Sequence, residues 1–173
     1  MTTNSRSTRQ IPLRLFLVAV AAVALGGQRS ASAATTTGSF SVTANVTVNC
    51  KVTGTTLAFG AYDPTSATAL DGTSTLSVKC TKGAVVASVQ LDKGANAGVG
   101  TQRQMIAGAD KLSYDLYTDT ARSVAWTSAT TGNGFTSAGP STPNTLTVYG
   151  RIPLGQDVPV GSYTDSVTAT VNF

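Results

Sequence analysis

From Ser39 to Cys50 apolar and polar residues alternate without a break over twelve positions. Phe40, Val42, Ala44, Val46, Val48 and Cys50 fall on one side, and Ser39, Ser41, Thr43, Asn45, Thr47 and Asn49 on the other. Successive side chains of a strand point to opposite faces, so strict period two predicts an extended segment with one dry and one wet face. The rhythm recurs at Leu76, Val78 and Cys80, at Val85, Ala87, Val89 and Leu91, at Leu112, Tyr114 and Leu116, and at Leu146, Val148 and Ile152. The last run puts Tyr163, Val167, Ala169, Val171 and Phe173 on the dry side, against Thr164, Ser166, Thr168, Thr170 and Asn172. Asp165 is the one charge on that dry side, near the strand start, where it can reach water.

Turn residues separate these runs: Asp63-Pro64, Asp71-Gly72, Lys82-Gly83, the stretches 94–100 and 132–143, and 153–161. Beyond residue 33 no window long enough for a helix carries a 3.6-residue apolar period. Thr and Val are abundant, and both favour pleated strands. The expectation is an all-β antiparallel sandwich in one domain, with Thr127–Pro143 as a long, mobile surface loop.

The start of the chain has a different character. Arg6, Arg9 and Arg14 precede the eleven-residue apolar run Leu15–Leu25, and Ala31-Ser32-Ala33 follows as a small-x-small site. Eleven residues rise too little to cross a hydrocarbon core of ~30 Å, so the pattern reads as a cleaved secretory signal over residues 1–33. Cleavage near Ala33 leaves about 140 residues, enough for one domain with a real core.

Charge then loses its first meaning. The net charge of +4 includes Arg6, Arg9, Arg14 and Arg29; without them eight basic side chains face eight acidic ones, all Asp. The basic pI therefore gives no reason to expect a nucleic-acid partner. With no His in the chain, Ser-His-Asp and Cys-His nucleophile systems and His-ligated metals are excluded. Asp115 and Asp119 stand four apart and are a possible carboxylate pair. They lie beside Lys111 and Arg122, and a solvated face with local ion pairing accounts for them. Tyr62, Tyr114, Tyr117, Tyr149, Tyr163 and Trp126 read as core or sheet-face residues rather than a sugar platform. Asn45-Val46-Thr47 matches a glycosylation sequon at chance level, and neither a Ca²⁺ loop nor a phosphate-binding glycine loop is present. No cofactor or metal is expected, and no enzymatic activity.

Cys50 and Cys80 are the only thiols. Export places them in an oxidising compartment, both fall on the dry side of their runs, and one pairing is available. Closing a loop of about 31 residues stabilises by ~3–4 kcal/mol by the chain-entropy argument.

Four blocks carry a family resemblance. Leu57–Pro64 reads LAFGAYDP and Leu76–Cys80 reads LSVKC. Arg103-Gln104-Met105 precedes LSYDLYTDTAR and then Trp126, and Thr147–Phe173 reads TVYGRIPLGQDVPVGSYTDSVTATVNF. From about Gly38 to Phe173 the chain resembles the spore coat protein U domain family, which includes subunits of archaic Csu-type chaperone–usher pili. The match fades between Trp126 and Leu146. The resemblance implies an immunoglobulin-like sandwich lacking its final strand and completed by strand donation. It implies a structural pilus subunit, with copies of itself or related subunits, a periplasmic chaperone and an outer-membrane usher as partners. The chain would pass through the periplasm to the cell surface and serve adhesion or biofilm formation; a secreted spore or cell coat protein of the same family is the alternative. A second, adhesin domain is not apparent, which suits a shaft or minor subunit.

On this reading residues 34–48 form a donor segment and residues 49–173 the sandwich. Phe40, Val42, Ala44 and Val46 are the expected groove-filling residues, and Val167, Ala169, Val171 and Phe173 belong to the C-terminal strand. The competing expectation is that Ser39–Val48 pairs within its own chain as an ordinary first strand. Thiol titration of the unreduced protein is expected to find no free thiol; two free thiols would overturn the disulfide.

Overall fold

The computed structural model describes residues 31–98, 100 and 102–173. Arg6, Arg9, Arg14 and the apolar run of the expected leader lie outside the described residues. Two units are distinguished, the second being Ala44–Phe173. The described part of the first, residues 31–43, carries no helix or strand and is exposed.

Among the described residues the second unit is all strand and loop: β1 (Cys50–Gly54), β2 (Leu70–Cys80), β3 (Val85–Val86), β4 (Ser88–Leu91), β5 (Arg103–Ala107), β6 (Asp110–Tyr117), β7 (Phe135–Thr136), β8 (Asn144–Ile152) and β9 (Ala169–Asn172). A five-stranded antiparallel sheet has the order β1-β2-β8-β6-β5, and β3 pairs with β7 and β4 with β9. The register follows the apolar pattern. Val78, Leu76 and Ser74 of β2 face Asn144, Leu146 and Val148 of β8, and Leu116 of β6 faces Gly150. Leu76, Val78, Leu112, Tyr114, Leu116, Val148 and Ile152 are buried on this sheet, in one core cluster with Val89 and Leu91 of β4. Ala169 and Val171 of β9 pack against it.

Cys50 and Cys80 stand opposite each other in the β1–β2 register and are joined by a disulfide. The β1 ladder begins there. Ser39–Val48 enters no strand, and Phe40, Val42, Val46 and Val48 are exposed.

Alternation misplaces some residues. Val85 and Ala87 are exposed while Val86, Ser88 and Val89 are buried. The chain changes partner between β3 and β4, from β7 to β9, and the strand phase slips with it. Thr127–Pro143 is not simply a surface loop. It contains β7 and buried Ser137, and Asn133 pairs through its amide with both backbone groups of Val89. Of the four residues expected in the C-terminal strand, Ala169 and Val171 lie in β9, half-buried Val167 lies two residues before it, and exposed Phe173 one residue past it.

Arg103 is the buried cation of the interior. Its guanidinium donates to the carbonyls of Asp92 and Trp126, each at 2.6 Å, and burial pulls its pKa down. Trp126 is also buried and donates its indole N–H to the Val89 carbonyl at 2.8 Å. Together they tie the ends of β4 and β5 to the segment after β6.

Gly72 and Gly150 are direct partners across β2 and β8. Leu57 and Phe59 rest on them. A Cβ at Gly150 would meet the Phe59 ring at 2.7 Å and the Leu57 side chain at 2.9 Å. Gly150→Val is therefore expected to destabilise by about 1–3 kcal/mol through overpacking. In urea titrations most of that cost should vanish on a Leu57→Ala, Phe59→Ala background. An undiminished cost there would show that the glycine is needed for another reason.

Candidate functional site

Between residues 54–64 and residues 158–169 runs an open groove of 1140 Å³. Its floor is the core itself: Leu76, Leu91, Leu112, Leu116, Val148 and Ile152 all line it. A groove floored by core residues is a sandwich with one layer incomplete.

The first wall continues from β1. After Gly54 the chain leaves the edge of the five-stranded sheet and crosses its dry face, over Gly72 and Gly150. Among the described residues no hydrogen bond involves the backbone of Thr56–Ala61. Side chains hold the wall instead. Leu57 and Phe59 sit on the glycine pair, and Phe59 packs edge-on against Tyr114 with ring centroids 6.1 Å apart. The Tyr62 hydroxyl donates to Pro153 O at 3.1 Å and accepts from Gln156 N at 2.8 Å.

The second wall is the approach to β9. Tyr163, Asp165, Val167, Ala169 and Val171 are half-buried, and the residues between them are exposed, except half-buried Asn172. Only one edge of this wall is paired. Ser166 and Thr168 accept through their carbonyls from Ala95 and Asp92, and Thr164 exchanges bonds with Ile106. The backbone groups of Tyr163, Asp165 and Val167 make no hydrogen bond among the described residues. By alternation they point to the opposite side. Two chain segments thus face each other across a dry floor, each with unpaired N–H and C=O groups.

The groove holds one charge, and it is fully engaged. Asp165 accepts from the Tyr114 hydroxyl at 2.7 Å, from Asn96 N at 3.1 Å, from Asn96 Nδ2 at 3.0 Å and from its neighbour Ser166 N at 2.8 Å. Burial, and then the bond to Asp165, push the Tyr114 pKa up, so it stays a donor. Gly94, with φ +83°, is what lets the carboxylate sit there, because a Cβ on it would collide with the Asp165 side chain. Asp92 fastens the wall further on: its carboxylate accepts from Thr168 N at 2.9 Å.

Val167 and Ala169 line the groove, as do Tyr62, Tyr114 and Tyr163. Phe40, Val42, Ala44 and Val46 are exposed. The structure does not bring Asp115 and Asp119 together as a carboxylate pair. Asp115 is half-buried in β6 opposite Arg151, and burial raises its pKa. Asp119 closes the following turn by accepting from the backbone of Ser123 and Val124, which lowers its pKa. Among the described residues no cluster of three metal-ligating side chains occurs. Strand periodicity missed the wall 55–62, because its inward residues Leu57, Phe59 and Tyr62 are too few and change phase. It also missed Tyr114–Asp165, since nothing local tells an engaged carboxylate from a hydrated one.

Asp165→Ala strands the Tyr114 hydroxyl and the Asn96 N–H, and is expected to cost about 1–3 kcal/mol; Tyr114→Phe, which leaves the carboxylate three donors, about 1 kcal/mol. Urea denaturation of both variants checks the order. Tyr114→Phe costing as much as Asp165→Ala would show that the ring's environment, not the carboxylate, is what matters.

The family model described as Spore Coat Protein U domain matches residues 36–170. Protein U of Myxococcus xanthus is 42% identical over 169 residues, which take in 88% of this chain and 93% of that protein. Among solved structures, a chain of the CsuC–CsuE chaperone–tip adhesion subunit pre-assembly complex, from archaic chaperone-usher Csu pili of Acinetobacter baumannii, aligns with a TM-score of 0.53 at 25% identity. The alignment covers 74% of this chain and 40% of that one, so this chain spans less than half of that structural relative.

Proposed function

The chain belongs to the Spore Coat Protein U domain family, and we propose that it is a structural, non-enzymatic subunit of a surface polymer of the chaperone–usher pilus type, built by donor-strand complementation. The observation that carries this reading is the groove between two unpaired backbone edges. Buried amides without partners are costly, and a single extended segment laid between the walls supplies partners to both at once.

The donor on this reading is residues 34–48 of another copy. Its composition suits the site, since no charged residue stands between Arg29 and Lys51. Phe40, Val42, Ala44 and Val46 would face the floor, with Ser41, Thr43 and Asn45 turned to water. Phe40 is 86% exposed in its own chain, Val42 82% and Val46 80%. Burial of such side chains contributes roughly 1.5–3 kcal/mol each for the larger ones. Donation from one copy into the next is head-to-tail and need not close, so it yields filaments.

The rest of the reading follows from that assembly. The chain is exported by its leader, held by a periplasmic chaperone that shields the groove, passed to an outer-membrane usher, and displayed at the cell surface, where the polymer serves adhesion or biofilm formation. The family's description as a spore coat domain favours a second use of the same linkage, a polymer laid down as a spore or cell coat. Electron microscopy of expressing cells separates the two, as extended filaments or a continuous layer.

Deleting residues 34–44 of the exported protein is expected to abolish polymer while leaving a folded domain that still accepts the arm of an intact copy. Polymer yield unchanged by the deletion would overturn the donor assignment.

A further inference from the structure

In this chain the exposed arm, β1 and the first groove wall follow one another directly in sequence. Residues 31–49 are exposed, β1 spans Cys50–Gly54, and the wall follows at once. This continuity has a mechanical consequence, which rests on the donor reading above. In a fibre under tension a subunit is pulled through its own arm, while its walls grip the arm of another copy. Without a cross-link the pull would run along β1 into the wall, where residues 56–61 make no backbone hydrogen bond among the described residues and would be gripping the neighbour.

We infer that the Cys50–Cys80 disulfide is a load shunt that diverts tension from the arm into β2 before it reaches the groove wall. Its position supports this. Cys50 is the first residue of β1, so a pull on the arm passes only the hydrogen bonds of Thr47 and Asn49 to Thr81 before it reaches the cross-link. Cys80 ends β2, which is paired to β8 over the nine positions Leu70–Val78, the longest pairing among the described residues. Force entering at Cys80 therefore spreads over the middle of the five-stranded sheet. Five β1–β2 pairs alone, loaded from one end, would open in sequence.

The test compares fibres of the full chain with fibres of a Cys50→Ser, Cys80→Ser variant, held singly at constant force, with the rupture lifetime as readout. The variant is expected to shorten the lifetime by roughly tenfold or more. A variant bearing instead a cross-link at Val85 and Thr136, register partners of β3 and β7 outside the five-stranded sheet and so outside the load path, is expected to recover stability in urea without recovering lifetime. Equal lifetimes with and without the native disulfide, or full recovery by the displaced one, overturn the shunt. If a variant does not fold, reducing assembled wild-type fibres in place gives the same comparison. A wild-type chain that forms no polymer overturns the donor reading, and the shunt with it.

Discussion

Backbone amides beside a dry surface must find partners, and in this molecule that requirement is left unmet along one line. The floor formed by Leu76, Leu112, Leu116, Val148 and Ile152 has the character of a sandwich interior, yet part of the layer above it is missing. Residues 56–61 on one side and the backbone of Tyr163, Asp165 and Val167 on the other face that gap without bonding across it. On the donor reading, one uncharged strand of alternating pattern meets both the apolar floor and the unpaired edges. Small molecules or ions would satisfy at most one of the two demands.

A gap of this kind persists only if its walls are held by something other than the strand that is absent. Two different devices serve. The first wall is fixed by shape, with Leu57 and Phe59 set onto the Gly72–Gly150 pair and the Tyr62 hydroxyl bonded to the loop after β8. The second wall is fixed by charge, through the carboxylates of Asp92 and Asp165 and their backbone and side-chain donors. Behind them Arg103 and Trp126 bind together segments that share no ladder. Buried polar groups are thus spent on holding the walls in position.

Much of this was legible in the chain. Period two gave the inward faces of β2, β6 and β8 and the half-buried side of the C-terminal run, because each of those segments keeps one partner arrangement along its length. It failed where the arrangement changes. Val85 and Ala87 follow the rhythm on paper, but the chain passes from β7 to β9 between them and Val89, and the phase does not survive the crossing. The wall 55–62 was invisible to periodicity and appeared only within the family resemblance of LAFGAYDP. Nothing in the sequence singled out Arg103 as buried, since its carbonyl partners come from positions 92 and 126, which no local pattern connects to it. The groove itself was expected from the resemblance; its floor and the anchors of its walls needed coordinates.

The central pair of the five-stranded sheet joins residues 70–78 to residues 144–152. Everything else in the sheet is arranged around a contact between segments far apart in the chain. Such pairing demands closure of a long loop before any contact repays it, which places all-β domains of this topology among slow folders, on the order of milliseconds to seconds. During that interval β2 and β8 are two unpaired, β-branched-rich edges with a natural tendency to associate with other chains. A chain with this architecture is therefore at its most aggregation-prone before its core closes, and the length of that window is set by the search of β2 for β8.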